Sequence, residues 1–409
     1  MNLLFVSEYF PPKIMGGGEI NLSLLAAALA KKTMTVSVIT SYHPGLPRFE
    51  KVDRVHIYRL LQTGESPNGI INNFKRSFLF PKSIEKEVAE LHHRKKFTQI
   101  HFMGTSIIAA AKLQQLNVPL IATIESYPTL CPKGDRIFHG KQECKTVCTI
   151  SKFVSCQRDS TEIGKMNNKW YFKYNPLFLL YVYNHYTKLK QSLLHCHLIA
   201  ISKYVHNVLR HHGVESTIIP NALNTSAFVH QAARKPGKKR ILYLGSLTAF
   251  KGPQLLLEAM TGIDCHCDIY GEGPLRKKLQ QIIVKNNLDA EIHPPVPSHQ
   301  IPSLYSAADI VVFPSRWPEP FGRIAIEAMA AGKPVIGADI GGIRETIMNG
   351  TGMLFQPNNV QDLRHKLKEL LQDTKQYQTL AREGPLKAQR YKEATVVVQL
   401  LKEYKKIAS

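Results

Sequence analysis

The sequence predicts an α/β protein built from two doubly wound lobes, and three observations carry that prediction. Strand, glycine loop, helix and strand follow in order near the start, as Leu3–Val6, Gly16-Gly17-Gly18, Glu19–Lys31 and Thr35–Thr40. The same alternation restarts after a polar, basic joint at Asn224–Lys239. At 409 residues the chain is long for one core, and length alone suggests roughly two to three domains.

Each element follows from its spacing. The β-branched run Thr35–Thr40 suits a strand and Glu19–Lys31 has helical apolar spacing, so the first unit predicts βαβ connectivity and a parallel sheet. Further strands are expected at Gln99–Phe102 and Pro119–Ile124. Residues 126–197, rich in cysteine, aromatic and basic side chains, read as an irregular insertion. Regularity returns with His197–Ser202, a helix to about His212, and Ser216–Pro220. Beyond the joint, Arg240–Leu244, Cys265–Tyr270, Asp309–Phe313 and Pro334–Gly337 alternate with helices near Gly252–Thr261, Pro274–Asn286, Gly322–Ala331 and Val360–Gln372. The domains are then 1–225, 226–385, and a closing helix in 386–409 that packs back on the first domain. Such lobes bind ligands in the crevice outside the carboxyl ends of their strands.

Composition narrows the class. With 44% hydrophobic and 21% charged residues the chain suits a soluble protein. No apolar run approaches the roughly 20 residues that span a bilayer. The start reaches Ser7-Glu8 too soon, and lacks the basic region, for a signal peptide. A cytoplasmic protein is expected. The net charge of +22 is concentrated early, with 28 Lys+Arg against 13 Asp+Glu in residues 1–210. That field favours anionic partners such as a membrane surface or a phosphorylated substrate. Nucleic acid is not among them, because no recognition helix, zinc finger or aromatic RNA-binding motif is visible.

Four of the seven cysteines, Cys131, Cys144, Cys148 and Cys156, fall within 26 residues. Four thiolates satisfy a tetrahedral zinc ion, yet paired C-x-x-C knuckles are missing. Reduced, unligated thiols are the plainer reading. Cys265 and Cys267 alternate with His266 on a strand, which suits burial on one face.

Chemistry concentrates in Pro314–Ala328, which follows a strand and opens a helix. Pro318 and Pro320 hold Glu319 outside that helix, since proline pushes its predecessor out of the α region. The amides of Phe321, Gly322 and Arg323 then form a helix start suited to a phosphate. Glu327 lies further along the same helix. A carboxylate accepts two hydroxyl hydrogen bonds at once, so two of them beside a phosphate site suit a sugar and a ribose.

This stretch resembles the E-x7-E motif of retaining family 4 glycosyltransferases, which have the GT-B fold: two Rossmann-like domains facing across a cleft. Four other stretches, in order along nearly the whole chain, are similar to the family's motifs. They are Tyr9-Phe10-Pro11-Pro12 with Gly16–Glu19, Ile199–Ser202 with Ile219–Ala222, Leu242–Gly245 with Lys251-Gly252, and Gly337–Glu345. The resemblance implies sugar transfer from a nucleotide-diphosphate sugar, with retention of configuration and no metal cofactor. No D-x-D pair occurs to seat a divalent ion on the diphosphate. It further implies that Glu319 holds donor-sugar hydroxyls, Glu327 the ribose, and Lys251 the departing diphosphate. Gly17 and Gly18 would let the backbone approach the phosphate or acceptor, and the base would lie near Gly271–Gly273 and Ile292–Val296.

Two positions depart from the family pattern. Ser246 stands where the family has arginine, so Lys251, Arg316 or Arg323 must supply more positive charge. Glu125 stands where the family has histidine, so either Glu125 takes a changed role or His101, on the neighbouring strand, substitutes. These departures also leave open a non-catalytic protein that binds nucleotide or sugar. On the acceptor side, Leu177–Tyr183 is bordered by Lys169, Lys173, Lys188 and Lys190. That pattern suits either an interfacial element on the inner face of a membrane or a buried helix. The acceptor expected is a glycan or lipid-linked molecule.

Overall fold

A computed structural model describes the chain apart from residues 33, 65–69, 141, 160–172, 230–236, 349 and 409, and without the side chains of residues 70 and 71. Its strands are β1 (Asn2–Val6), β2 (Thr35–Ser41), β3 (Phe49–Val52), β4 (Val55–Leu61), β5 (Gln99–Met103), β6 (Leu120–Ile124), β7 (Ile137–Phe138), β8 (Gln142–Glu143), β9 (His197–Ala200), β10 (Thr217–Ile218), β11 (Arg240–Leu244), β12 (His266–Tyr270), β13 (Ala290–His293), β14 (Ile310–Phe313), β15 (Val335–Ala338) and β16 (Gly352–Phe355).

Two sheets result. The first runs β10-β9-β6-β5-β1-β2-β4-β3, with β3 antiparallel to β4 and every other pair parallel. The second runs β13-β12-β11-β14-β15-β16, parallel throughout. Both are doubly wound α/β sheets, and strand order reverses between β1 and β5 in one and between β11 and β14 in the other. Ligand crevices open at such reversals. Loops following these four strands line one shared cleft.

The lobes are held together by a common core and by hydrogen bonds. Tyr127 and Ile201 of the first lobe belong to the same buried cluster as Trp317 and Phe321 of the second. Ser202 Oγ donates to the Pro320 carbonyl at 2.6 Å, and Tyr127 Oη to the Pro318 carbonyl at 2.5 Å. Both acceptors flank Glu319, so the second lobe's motif loop is positioned by the first. The helix Glu393–Ala408 crosses back, burying Val396, Val397, Leu400 and Tyr404 in a cluster with Leu3, Phe5 and Leu22.

The insertion contains more regular structure than the sequence suggests. A β7–β8 hairpin is followed by the helices Ile150–Arg158 and Pro176–Ser192. The second helix gives little periodic signal because apolar residues occupy both faces: Leu179 and Leu189 are buried, while Leu177 and Leu180 are exposed. Trp170 and Lys169 lie outside the described residues. The sequence predicts neither the inner strand β4 nor the edge strands β3, β13 and β16, which alternate or carry polar residues, nor the helix Ile70–Lys95.

Candidate active site

The cleft between the lobes has a volume of about 730 Å³. Its second-lobe wall is the loop after β14 with the helix Arg323–Ala330. Gly322 begins that helix at φ +92°, a conformation that favours glycine. No other described residue takes up the N–H groups of Phe321, Gly322 and Arg323. Gly342 N–H holds the loop from behind by donating to the Glu319 carbonyl at 2.7 Å. A Cβ on Gly341, at φ +58°, would come within 2.5 Å of that same oxygen. This tight layering fixes the direction in which Glu319 leaves the loop.

Glu319 is buried and accepts two hydrogen bonds on Oε1, from Lys251 Nζ at 2.5 Å and Ser315 Oγ at 3.1 Å. Lys251 enters from the loop after β11, its ammonium 5.0 Å from the Trp317 ring centre. Gly252 follows at φ +71°, where a Cβ would lie 2.0 Å from the Pro314 carbonyl. Only glycine lets this loop pass the motif loop and bring the ammonium to the carboxylate. Glu327 is also buried, gripped by Tyr305 Oη at 2.9 Å and Arg323 Nε at 2.7 Å. Lys251, Glu319 and Arg323 all line the cleft, whereas Glu327 lies behind Arg323 and does not.

The first-lobe wall begins at the glycine loop. Glu19 receives the Gly16 N–H at 2.8 Å, which closes the start of the helix Gly17–Ala30. A Cβ at Gly18 would lie 2.6 Å from Glu125 Oε2, and one at Gly17 3.4 Å from Arg323 Cδ. Glycine at 18 thus lets the loop approach the Glu125 carboxylate, while a Cβ at 17 would make only ordinary contact with Arg323. Glu125, at the end of β6, accepts from Asn21 Nδ2 at 3.2 Å. Burial is the main cause that lifts its carboxyl to about 7, and the Glu19 carboxylate adds to it. Asn21 also donates to Asn221 and accepts the Ala222 amide, linking Glu125 to the segment Ile219–Ala222.

Several expected positions fall elsewhere. His101 is in the core of the first lobe, its ring nitrogens 2.6 Å from Tyr404 Oη and 2.8 Å from Thr123 Oγ1. Burial lowers its imidazole to about 3. It cannot reach the cleft, so Glu125 alone occupies the histidine position. Arg316 points away, toward Asn358 and a second cavity. Gly271 and Gly273 do not line the cleft; they let the loop after β12 press against the Gly245 and Leu247 carbonyls. Ser246 lines the cleft beside Lys251, and its hydroxyl lies 3.2 Å from Thr248 Oγ1.

The sequence reading misses one cluster on the first-lobe wall. Glu8 Oε1 accepts from Arg76 Nε at 2.5 Å and Thr63 Oγ1 at 2.6 Å, and Arg76 also donates to Tyr9 Oη at 2.6 Å. Glu8, Tyr9 and Arg76 line the cleft. No local signal marks Arg76, which stands 68 residues from Glu8.

Two facing doubly wound lobes with one cleft between them define the GT-B fold. The family model "Glycosyltransferase Family 4" matches residues 15–227, and "Glycosyl transferases group 1" matches residues 226–387. The chain belongs to glycosyltransferase family 4. An uncharacterized glycosyltransferase of Methanocaldococcus jannaschii is 30% identical over 214 residues, 52% of this chain and 60% of that protein. A D-inositol 3-phosphate glycosyltransferase of Pseudarthrobacter chlorophenolicus is 31% identical over 181 residues, 40% and 43% of the two chains. The chain thus spans less than two thirds of the length of each of these relatives. Sucrose-phosphate synthase from Thermosynechococcus elongatus shares the fold, with a TM-score of 0.76 at 21% identity over 99% of this chain and 98% of that one. So does Anabaena HepE in complex with UDP-glucose, with a TM-score of 0.69 at 18% identity over 99% and 100%.

Proposed function

We propose that this protein transfers a sugar from a nucleotide-diphosphate sugar to an acceptor, with retention of configuration. The observation that carries this reading is that Lys251, Phe321, Gly322 and Arg323 line one cleft together, with the N–H groups of Phe321–Arg323 taken up by no other described residue. Negative charge develops on the diphosphate as the glycosidic bond breaks, and fixed cations and amides in a sheltered cleft stabilise that charge most in the transition state. They supply what a divalent ion supplies elsewhere, so no metal is required for the transfer. Glu319 orients the donor sugar through its hydroxyls while anchoring Lys251. Glu327 reaches the ribose once Arg323 turns toward the phosphates. In the retaining route the acceptor attacks from the face the diphosphate leaves, and the leaving phosphate takes the acceptor's proton.

The acceptor is a lipid-linked or surface-polysaccharide glycan, and the enzyme works at the inner face of a membrane. No described helix is long and apolar enough to cross a bilayer. Instead the helices Ile70–Lys95 and Pro176–Ser192 present Phe74, Phe78, Leu177 and Leu180 to solvent. The Phe74 and Phe78 rings are 4.5 Å apart, and both stack near Tyr181. Residues 70–84 and 173–192 contain lysines and no acidic residue, a pattern that suits anionic headgroups. Arg76 sits in the same helix as the exposed phenylalanines and lines the cleft, which puts the patch beside the first-lobe wall.

A thermal-shift panel of nucleotide sugars tests the donor reading, because a ligand at 100 times its dissociation constant adds about 2.7 kcal/mol. Release of nucleoside diphosphate from the stabilising donor then tests turnover. If no nucleotide sugar stabilises the protein, the reading fails.

A further inference from the structure

The first-lobe wall of the cleft carries a polar cluster that the donor chemistry does not use. Glu8 stands just after β1, the strand at which the order of the first sheet reverses, and it lines the cleft with Tyr9 and Arg76. A doubly wound lobe takes its ligand at such a reversal. Four segments fix this glutamate in place. Its carbonyl receives the Ser41 amide and the Thr40 hydroxyl, each at 3.2 Å. Its carboxylate is gripped by Arg76 from the helix Ile70–Lys95 and by Thr63, which follows β4. The side chain nevertheless keeps 13% of its surface open, so a ligand in the cleft can touch it.

The way these bonds are distributed decides what that ligand is. Both bonds from Arg76 and Thr63 go to Oε1, which leaves Oε2 with lone pairs to spare. Arg76, by contrast, has every nitrogen engaged: Nε by Glu8, Nη1 by Asn73 Oδ1 at 3.2 Å and Nη2 by Tyr9 Oη at 2.6 Å. The other carboxyls on this wall are committed, Glu19 to the Gly16 amide and Glu125 to Asn21. What the cluster offers the cleft is therefore a fixed hydrogen-bond acceptor with negative charge. A sugar hydroxyl complements it. A phosphate or carboxylate, with no proton to give at neutral pH, meets like charge there.

We propose that Glu8 determines acceptor specificity: its carboxylate receives a hydroxyl of an uncharged sugar and refuses an acceptor end that carries phosphate or carboxylate. Arg76 and Thr63 are the positioning residues that hold it. This rests on the transfer reading above and adds the class of group that enters the cleft. The net charge of +22 draws anionic surfaces to the protein as a whole, whereas selection at this wall is local and of opposite sign.

The test uses the full chain and the nucleotide sugar that stabilises it. Octyl glycosides of neutral hexoses are compared with the matching hexose phosphates as acceptors, and release of nucleoside diphosphate above the acceptor-free rate is measured. The glycosides are expected to stimulate release and the phosphates are not. Glu8→Gln keeps the shape but loses the charge and one accepting oxygen. It should raise the KM for the glycoside about tenfold or more, with a smaller change in kcat, as loss of a hydrogen bond to a charged group does. Its thermal shift with the donor should match that of wild type, which a general loss of structure would not allow. Stimulation by the phosphates, or by neither class, overturns the proposal, and so does an unchanged KM in Glu8→Gln. Failure of every nucleotide sugar to stabilise wild-type protein would instead defeat the transfer reading itself.

Discussion

Glu345 Oε2 of the second lobe accepts the Lys203 amide at 2.7 Å and the Tyr204 amide at 3.4 Å, at the start of the helix Lys203–His211 in the first lobe. A carboxylate from one domain thus completes a helix terminus in the other. Glu345→Ala removes it and should lower stability by about 1 kcal/mol, as loss of a helix cap does. That corresponds to a fall of roughly 2–4 °C in melting temperature for a domain of this size. Calorimetry measures it; an unchanged melting temperature means the contact does not hold the lobes.

In the proposed transfer, Lys251 stabilises the leaving group and its ion-pair partner Glu319 orients the sugar. Lys251→Ala and Glu319→Ala should each lower kcat/KM by roughly 10²- to 10³-fold, the usual effect of losing one transition-state contact. Circular dichroism should show the fold intact. A loss confined to KM would make them ground-state contacts only.

Glu125 gives the protein a pH signature. Its folded value, about 7, is above the ordinary carboxyl value of 4.5. The folded state therefore holds the proton through a window in which the unfolded chain has released it. Stability falls as pH rises from about 4.5 to about 7 and is then level for this group. Glu125→Gln keeps the shape and removes the titration. Its melting temperature minus that of wild type should increase between pH 5 and pH 8, and a constant difference would contradict the buried environment described for this carboxyl.

Membrane association is read from vesicle sedimentation. Wild-type protein should bind anionic vesicles at low salt and release as salt rises. Phe74→Ser with Phe78→Ser should bind at least about tenfold less, since two rings contribute a few kcal/mol when buried in the interface. Equal binding by the double variant would move the contact elsewhere.

Much of this arrangement is legible in the sequence where backbone chemistry forces it. Pro318, Pro320 and Gly322 punctuate the motif loop so strongly that Glu319 and the helix start at Arg323 follow from covalent geometry. The buried strands β1, β11 and β14 are equally plain. What escapes is long-range or lacks contrast. The Glu8–Arg76 pair joins residues with no sequence relation. β5 is buried on both faces, as central parallel strands are, so no alternation shows that His101 turns toward Tyr404 instead of the cleft. The helix Pro176–Ser192 hides for the same kind of reason, with apolar residues inside and out.

The central claim is that the donor's diphosphate sits against the amides of Phe321, Gly322 and Arg323 with Lys251 beside it. A crystal structure with an intact or non-hydrolysable nucleotide sugar measures this directly. The account predicts phosphate oxygens within hydrogen-bond distance of at least two of those amides and of Lys251 Nζ. A diphosphate bound elsewhere, with the Lys251–Glu319 pair untouched, would contradict it.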